Sequence, residues 1–173
     1  MVRRPGGSKG PIVEHIDECI GSSWRREARI SADLHVEIKT KKPPLTDQYK
    51  KPGFLDGHQI DYLFEKVALD VEWNSKDQTF DRDLYAFSAF YQADAIDLGI
   101  ILTRGCSVDE TDFLRKLGNV LNKDGSEGTE AVFKKFGAST TKMEKLLYRL
   151  EAGRNGGCPV LAVGIKAEAF LDE

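Results

Sequence analysis

Residues 57–84 read GHQIDYLFEKVALDVEWNSKDQTFDRDL, and this stretch decides the centre of the fold. Apolar and polar residues alternate over 60–64, which is typical of a half-buried strand, and a more apolar run follows over 67–73. The two runs predict an antiparallel hairpin that turns at Glu65 and Lys66. This dipeptide lacks the Gly or Asn that two-residue turns prefer, so a longer loop with the same centre is the alternative.

The predicted hairpin brings acidic side chains together. Asp61 and Asp70 are equidistant from the turn, so they lie opposite each other with Cβ atoms about 4.5–5.5 Å apart. Strand alternation sends Glu72 to the same face as Asp70. Two like charges at this distance repel by roughly 3 kcal/mol at an effective dielectric constant near 20. A divalent cation would replace that repulsion with coordination, and hard oxygen ligands suit Mg²⁺.

The alternative interpretation of these acids is a solvated strand edge, which is the more common meaning of a lone D-x-E triplet. Asp61, nine residues before Asp70, favours the metal site, and so do the apolar residues predicted on the opposite face (Leu69, Val71 and Trp73). The charges at 81–83 are interpreted as first-turn helix charges with local pairing, and a supporting role for Arg82 beside the acids is the less favoured alternative.

Length and composition indicate one soluble globular domain. The chain has 173 residues, 40% of them hydrophobic and 31% charged, and no apolar run of 18 residues that would predict a membrane helix. The basic N-terminus has no apolar core after it, so no signal peptide is expected. Cys19, Cys106 and Cys158 are odd in number and far apart, which favours reduced cysteines in the cytoplasm over a disulfide framework or a zinc site.

The net charge of −3 hides an uneven distribution. Residues 61–128 hold seven basic against fourteen acidic side chains, whereas 1–60 hold eleven against eight and 129–166 hold seven against three. An acidic centre between basic flanks suits a metal-dependent enzyme that acts on a polyanion. Solvated charged faces are the simpler explanation when composition is considered alone.

The remaining patterns predict a central mixed β-sheet flanked by helices. Residues 39–57 carry five lysines and three prolines and predict a long basic loop. The strand 98–103 and the strand 159–165 are apolar enough to be buried on both faces. The predicted helices are 12–30, 80–95, 109–122, 129–136 and 141–151, and a further strand is predicted at 34–40.

These residues carry a resemblance to a known family. Asp61 followed by Asp70-x-Glu72 resembles the PD-(D/E)xK nuclease core, in which an acid on one strand precedes an acid-x-polar triplet on the next. The segments DVEWNSKDQTFDRDL and GASTTKMEKLLYRLEAGRNGGCPVLAVGI are similar to the BglII/BstYI group of type II restriction endonucleases. The resemblance covers roughly 56–165.

The resemblance implies a Mg²⁺-dependent hydrolase that cuts double-stranded DNA as a homodimer in the cytoplasm of a prokaryote. Asp61 and Asp70 would be metal ligands. Glu72 would be the third catalytic residue, in the place where the wider superfamily has lysine, acting as a ligand, as a general base or only to position water. A palindromic site built around GATC is implied by the resemblance alone.

Two short segments would lie near the DNA bases by the same resemblance. The hydroxyl run that starts at 139 is also suited to cap the helix that follows it, which is the simpler interpretation. The lysines expected to hold the DNA backbone are Lys134, Lys135, Lys142 and Lys145. The residues expected to bind DNA in the two segments are Asn74, Ser75 and Lys76, and Ser139, Thr140, Thr141 and Lys142.

Two other functions remain open at this point. The first is a structure-specific or repair nuclease with the same core, and the second is a catalytically inactive DNA-binding protein on the same fold. Three carboxylates that repel one another argue against an inactive site, because nothing would retain them without a cation.

Overall fold

The computed structural model describes residues 3, 10–105, 114–137, 139–166 and 169. The helices in this part of the chain are α1 (Pro11–Cys19), α2 (Thr79–Gln92), α3 (Val132–Phe136) and α4 (Met143–Glu151). The strands are β1 (Arg25–Lys41), β2 (Pro44–Phe64), β3 (Val67–Glu72), β4 (Leu98–Arg104), β5 (Asn119–Leu121), β6 (Glu127–Ala131) and β7 (Val160–Ile165).

Five strands form a mixed sheet in the order β1-β2-β3-β4-β7. The pairs β1–β2 and β2–β3 are antiparallel, whereas β3–β4 and β4–β7 are parallel. Strands β5 and β6 form a separate antiparallel pair. The architecture is the predicted one, an α/β fold with a central mixed sheet and helices packed on it.

The hydrophobic core lies between the sheet and helices α2 and α4. Phe80, Leu84 and Phe87 of α2 are fully buried, and they belong to one apolar cluster with Ile101 of β4 and Leu146 of α4. This packing places α2 against β2 and β3, with the Phe87 ring reaching Gly99 of β4. In the described part of the chain, no helix is long and apolar enough to cross a membrane.

The predicted hairpin between β2 and β3 is confirmed with its register. Leu63 pairs with Ala68 and Phe64 pairs with Val67, so the turn is at the two residues between them. Glu65 at the turn has a φ of 49°, the left-handed conformation that Gly or Asn would adopt with less strain.

The prediction of a basic loop at 39–57 is wrong. Strands β1 and β2 continue through this region as a two-stranded ribbon that turns between Lys41 and Pro44. Proline is compatible with these strands because Pro44 is the first residue of β2 and Pro52 lies at the register shift between the pairs Leu34–Lys51 and Ala32–Leu55. The alternation of side chains continues through the lysine-rich segment, although both sides of the ribbon are exposed and composition resembles that of a loop.

Several other predicted boundaries are also wrong. The helix predicted at 12–30 ends at Cys19, because Gly21 and its neighbours lead into β1. Part of the predicted helix 109–122 is strand β5, and part of 129–136 is strand β6, which a turn with Gly125 at a φ of 87° joins to β5. Residues 109–113 lie outside the described residues.

Strand β7 is also less buried than predicted. It pairs with β4 at one end of the strand order, and Leu161 and Val163 are 50% and 37% exposed. One side of β7 therefore faces away from the core in the described part of the chain.

Substitution of Gly99 tests the packing of α2 on β4. A Cβ at Gly99 would overlap the ring of Phe87, which is itself fully buried and has little room to move. We expect Gly99→Ala to lower the free energy of unfolding by about 1–3 kcal/mol, as overpacking usually does. Urea unfolding followed by tryptophan fluorescence measures this change.

Gly21→Ala is the matched control, since the nearest atom to its added Cβ is Ser23 Oγ at 3.8 Å. It should change the unfolding free energy by less than about 0.5 kcal/mol. Equal stability of the Gly99 variant and the wild type would contradict the described contact between α2 and β4.

Candidate active site

Asp61 and Asp70 lie where β2 and β3 separate. Backbone pairing of the two strands runs from Phe64–Val67 to Tyr62–Leu69. At the next position, Asp61 and Asp70, the side-chain carboxylates take part in the hydrogen bonds between the strands. The Asp61 N–H donates to Asp70 Oδ1 at 2.6 Å, and the Val71 N–H donates to Asp61 Oδ2 at 3.0 Å. The two carboxylates therefore lie side by side between the strands, each held by the backbone of the other strand.

Glu72 and Asp83 extend this acidic cluster into the core. Glu72 is 5% exposed and accepts hydrogen bonds from the Thr79 hydroxyl at 2.8 Å and from Arg82 at 3.4 Å. Asp83, on helix α2, is 1% exposed and accepts a hydrogen bond from Arg82 Nε at 2.9 Å. Arg82 thus joins the acid at the end of β3 to the acid on the helix behind it.

Burial and mutual repulsion keep protons on this cluster. Burial, together with the neighbouring Asp61 carboxylate, raises the pKa of Asp70 to about 8, and the hydrogen bond from the Asp61 backbone opposes this shift. Burial also raises the pKa of Asp83 to about 9, with a further contribution from the Asp70 and Glu72 carboxylates. A cation close to these groups would remove the repulsion and release protons.

Two carboxylate oxygens of the cluster have unused acceptor capacity. Asp70 Oδ2 and Asp83 Oδ2 are buried and accept no hydrogen bond from the residues described. Buried acceptors are almost always satisfied, so such an oxygen is a position where a cation would be stabilising. The Asp70 oxygen, beside the exposed Asp61, is the one suited to a metal.

The donor set fits Mg²⁺ in its chemistry. Among the described residues, no group of three or more His, Cys, Asp or Glu side chains is arranged to hold a metal ion by itself. Mg²⁺ usually binds one or two carboxylates and completes its octahedron with water and substrate phosphate. Asp61 and Asp70 can supply those two carboxylates.

The two segments expected to bind DNA are brought together at this end of the sheet. Lys76 and Thr140 form an isolated antiparallel bridge, and the Thr141 N–H donates to the Ser75 carbonyl at 2.8 Å. The Asp77 N–H donates to the Ser139 carbonyl at 3.1 Å. Segments 64 residues apart in sequence therefore form one polar strip directly after Glu72.

The members of this strip differ in accessibility. Thr140 and Thr141 are buried, and their hydroxyls donate to the carbonyls of Phe136 and Glu72. The Asn74 side chain accepts from Arg104 at 3.2 Å. Ser139 and Lys76 are exposed, whereas Ser75 and Lys142 are partly buried and Lys142 pairs with Glu144 at 2.6 Å. The role of all these residues in base recognition stays a prediction.

Arg104 is a residue of this region that sequence analysis missed. It is 3% exposed at the end of β4, and its guanidinium donates to the Phe136 carbonyl at 2.9 Å, to Thr140 Oγ1 at 2.9 Å and to the Thr141 carbonyl at 3.2 Å. The signal available in the sequence was an arginine directly after the apolar run LGIILT. Asp83 was likewise interpreted only as a helix charge.

Comparison with known proteins places the chain in a nuclease family. The chain matches the family model described as restriction endonuclease BglII/BglIII over residues 1–165, which is nearly its whole length. No curated protein matches the chain.

The raised pKa values predict how stability depends on pH in the metal-free protein. Aspartates of an unfolded chain titrate near 3.9, so between about pH 5 and 9 the folded chain binds more protons than the unfolded one. With EDTA present, the free energy of unfolding should fall as the pH rises through this range. Asp83→Asn should make that slope shallower, because the amide has no proton to lose. Denaturant unfolding at a series of pH values measures both slopes.

Asp81→Asn is the control for this experiment. Burial raises the pKa of Asp81, but its ion pairs with Arg154 and Arg149 lower it overall. This variant should leave the slope between pH 5 and 9 unchanged. An Asp83 variant with the wild-type slope would contradict a protonated, buried Asp83.

Proposed function

Because the chain belongs to the BglII/BglIII restriction endonuclease family, we propose that it is a type II enzyme of that family. It hydrolyses phosphodiester bonds of double-stranded DNA at a short palindromic site, with Mg²⁺ as its cofactor, inside a prokaryotic cell. The observation that carries the proposal is the buried, unsatisfied Asp70 oxygen next to the exposed Asp61 at the end of the sheet.

In this proposal Asp61 and Asp70 hold the metal. When bound, Mg²⁺ lowers the pKa of the attacking water and offsets the negative charge that builds on the phosphate. The two hydrogen bonds between the aspartates and the opposite strand orient the carboxylates before the metal arrives. Little side-chain entropy is then lost on binding.

Glu72 has the position that lysine has in much of the superfamily. Its carboxylate is held by Thr79 and Arg82, and its backbone carbonyl accepts from the hydroxyls of Thr103 and Thr141. A glutamate fixed in this way can orient the attacking water. It supplies no positive charge at the phosphate, so catalysis should depend strictly on the metal.

Sequence recognition is assigned to the polar strip formed by residues 74–76 and 139–142. The exposed Ser139 and Lys76 would contact base edges first, because hydroxyl and ammonium groups can donate to the acceptors in the major groove. The lysines at 134, 135, 142 and 145 would hold phosphates. A GATC-centred palindrome, read by two copies related by a two-fold axis, requires a homodimer with one active site for each strand.

Plasmid cleavage tests this function. In Mg²⁺ the wild type should produce discrete fragments, and EDTA should abolish them. Asp70→Asn should lower the cleavage rate on the order of a thousandfold, because it removes the charge that holds the metal. Asp97→Asn, which changes an exposed acid at the surface, should cleave like the wild type. Discrete fragments from the Asp70 variant would contradict the metal site, and a smear would favour a nuclease without sequence recognition.

The proposed homodimer has its own measurement. Sedimentation equilibrium with a short palindromic duplex should give two protein chains for each duplex. The same ratio is expected for the wild type and for Asp70→Asn. Both strands should be cut in one binding event, so linear plasmid should accumulate without a prior build-up of nicked circles. One chain for each duplex would contradict symmetric recognition.

A further inference from the structure

The ribbon of β1 and β2 extends well beyond the sheet. Eight consecutive pairs, from Leu34 with Lys51 to Lys41 with Pro44, form a part that we call the arm, residues 34–51. At about 3.3 Å for each residue, the arm is roughly 25 Å long. All of its residues are exposed or partly exposed. An isolated two-stranded ribbon is only marginally stable in water. Contacts with a binding partner would therefore stabilise the arm.

The arm has two chemically different faces. Residues that pair directly across antiparallel strands point to the same side. One side, which is mostly apolar, carries the pairs Leu34–Lys51, Val36–Tyr49, Ile38–Asp47 and Thr40–Leu45. The other side, which we call the basic face, carries the pairs His35–Lys50, Glu37–Gln48, Lys39–Thr46 and Lys41–Pro44.

The positive charge of the arm is largely unneutralised. The arm holds five lysines against two carboxylates, a balance of +3 in a chain whose net charge is −3. Lys39 pairs with Glu37 at 2.7 Å on the basic face. Lys41, Lys42 and Lys50 form no ion pair with any other residue that the structure describes. An anionic partner is therefore favoured over a neutral one.

The arm extends from the same end of the sheet at which the acids lie. β3 runs toward Glu72, and because β2 is antiparallel to it, the residues of β2 before Asp61 continue past the carboxyl end of β3. The ladder between β1 and β2 shifts register around Ala32, and Gly53 on the opposite strand has a φ of 62°, so the ribbon bends between the sheet and the arm. Residues 52–58 of β2 separate the arm from the residues level with the acids, so the arm would meet a duplex bound at Asp70 on its flank and not at the cleaved bond.

From these observations we propose that the basic face of the arm binds the DNA backbone on the flank of the cleavage site. The proposal rests on the proposed function, because it requires a duplex at the acids. Over its length the arm could follow about seven base pairs at 3.4 Å each. A two-stranded ribbon also has the dimensions that the major groove admits. The lysines Lys41 and Lys50 bind phosphates, so the contact carries no sequence information.

The test uses the double variant Lys41→Gln/Lys50→Gln. It removes two positive charges from the basic face and leaves the acids unchanged. Binding is measured in the Asp70→Asn background, with a palindromic duplex of about 30 base pairs and with its central part of about 12. The double variant should bind the long duplex roughly tenfold more weakly, and its slope of log affinity against log salt should fall by about two. Affinity for the short duplex, and its cleavage rate with Asp70 intact, should stay the same.

Two control variants make the result specific. Lys66→Gln with Lys123→Gln removes the same charge from exposed positions outside the arm, and it should keep the wild-type affinity and slope. Ile38→Thr with Tyr49→Thr alters the apolar side of the arm and should leave DNA binding unchanged. If the apolar-side variant instead changes the oligomeric state while the lysine variant has no effect, the arm binds a second copy and the proposal is overturned.

Failure of the arm proposal can be told apart from failure of the proposed function. A wild type that cuts plasmid at discrete sites, together with a lysine variant of unchanged affinity and salt slope, would overturn the arm proposal alone. A wild type that binds DNA without cutting it would overturn the proposed function, and the salt slopes would still test the arm.

Discussion

The reciprocal hydrogen bonds between Asp61 and Asp70 determine the geometry at the end of the sheet. Each carboxylate accepts an N–H of the opposite strand at a level where two strands would otherwise pair through their backbones. The side chains thus replace a rung of the ladder, and beyond them β2 leaves β3. A pair of like charges is stable in this position only because the N–H groups, a proton or a cation offset the repulsion. The same contact therefore places the acids side by side and leaves β2 to continue outward, and in the proposed function it would make the site dependent on a cation.

A second set of contacts joins a distant part of the chain to this site. The Glu72 carbonyl accepts from Thr103 on β4 and from Thr141, and Arg104 binds the carbonyls of Phe136 and Thr141. The buried guanidinium acts as a bridge between the sheet and the segment before α4. Loss of one partner would leave a buried charge or carbonyl unsatisfied, which costs more than the hydrogen bond itself contributes. The acids and the polar strip are consequently positioned by one shared network.

Sequence reasoning succeeded where a half-buried strand shows a local alternation of apolar and polar residues. The hairpin of β2 and β3 follows from alternation, and its register brings Asp61 to Asp70 even though Glu65 must adopt a positive φ at the turn. The strand predicted at 34–40 lies within β1 and is confirmed, whereas the loop predicted at 39–57 is wrong, because the lysines and prolines of this exposed segment resemble those of a loop. Sequence reasoning also missed Arg104 and Asp83, since a buried charge is recognisable only through partners such as Phe136 that are remote in sequence. Tertiary contacts, not local propensity, determine those roles.

The charge distribution connects the acids to the arm. A nuclease must bring a polyanion to carboxylates that repel it, and a metal ion offsets this repulsion only over a short range because salt screens charges within about 10 Å. Affinity for the rest of the duplex must therefore come from basic groups outside the acidic centre at 61–128. The arm carries such groups past the carboxyl end of β3 without adding positive charge next to Asp70, where it would compete with the cation. In the proposed function, the separation of the acids and the lysines along one continuous strand, β2, would let the protein hold the metal and the DNA backbone at the same time.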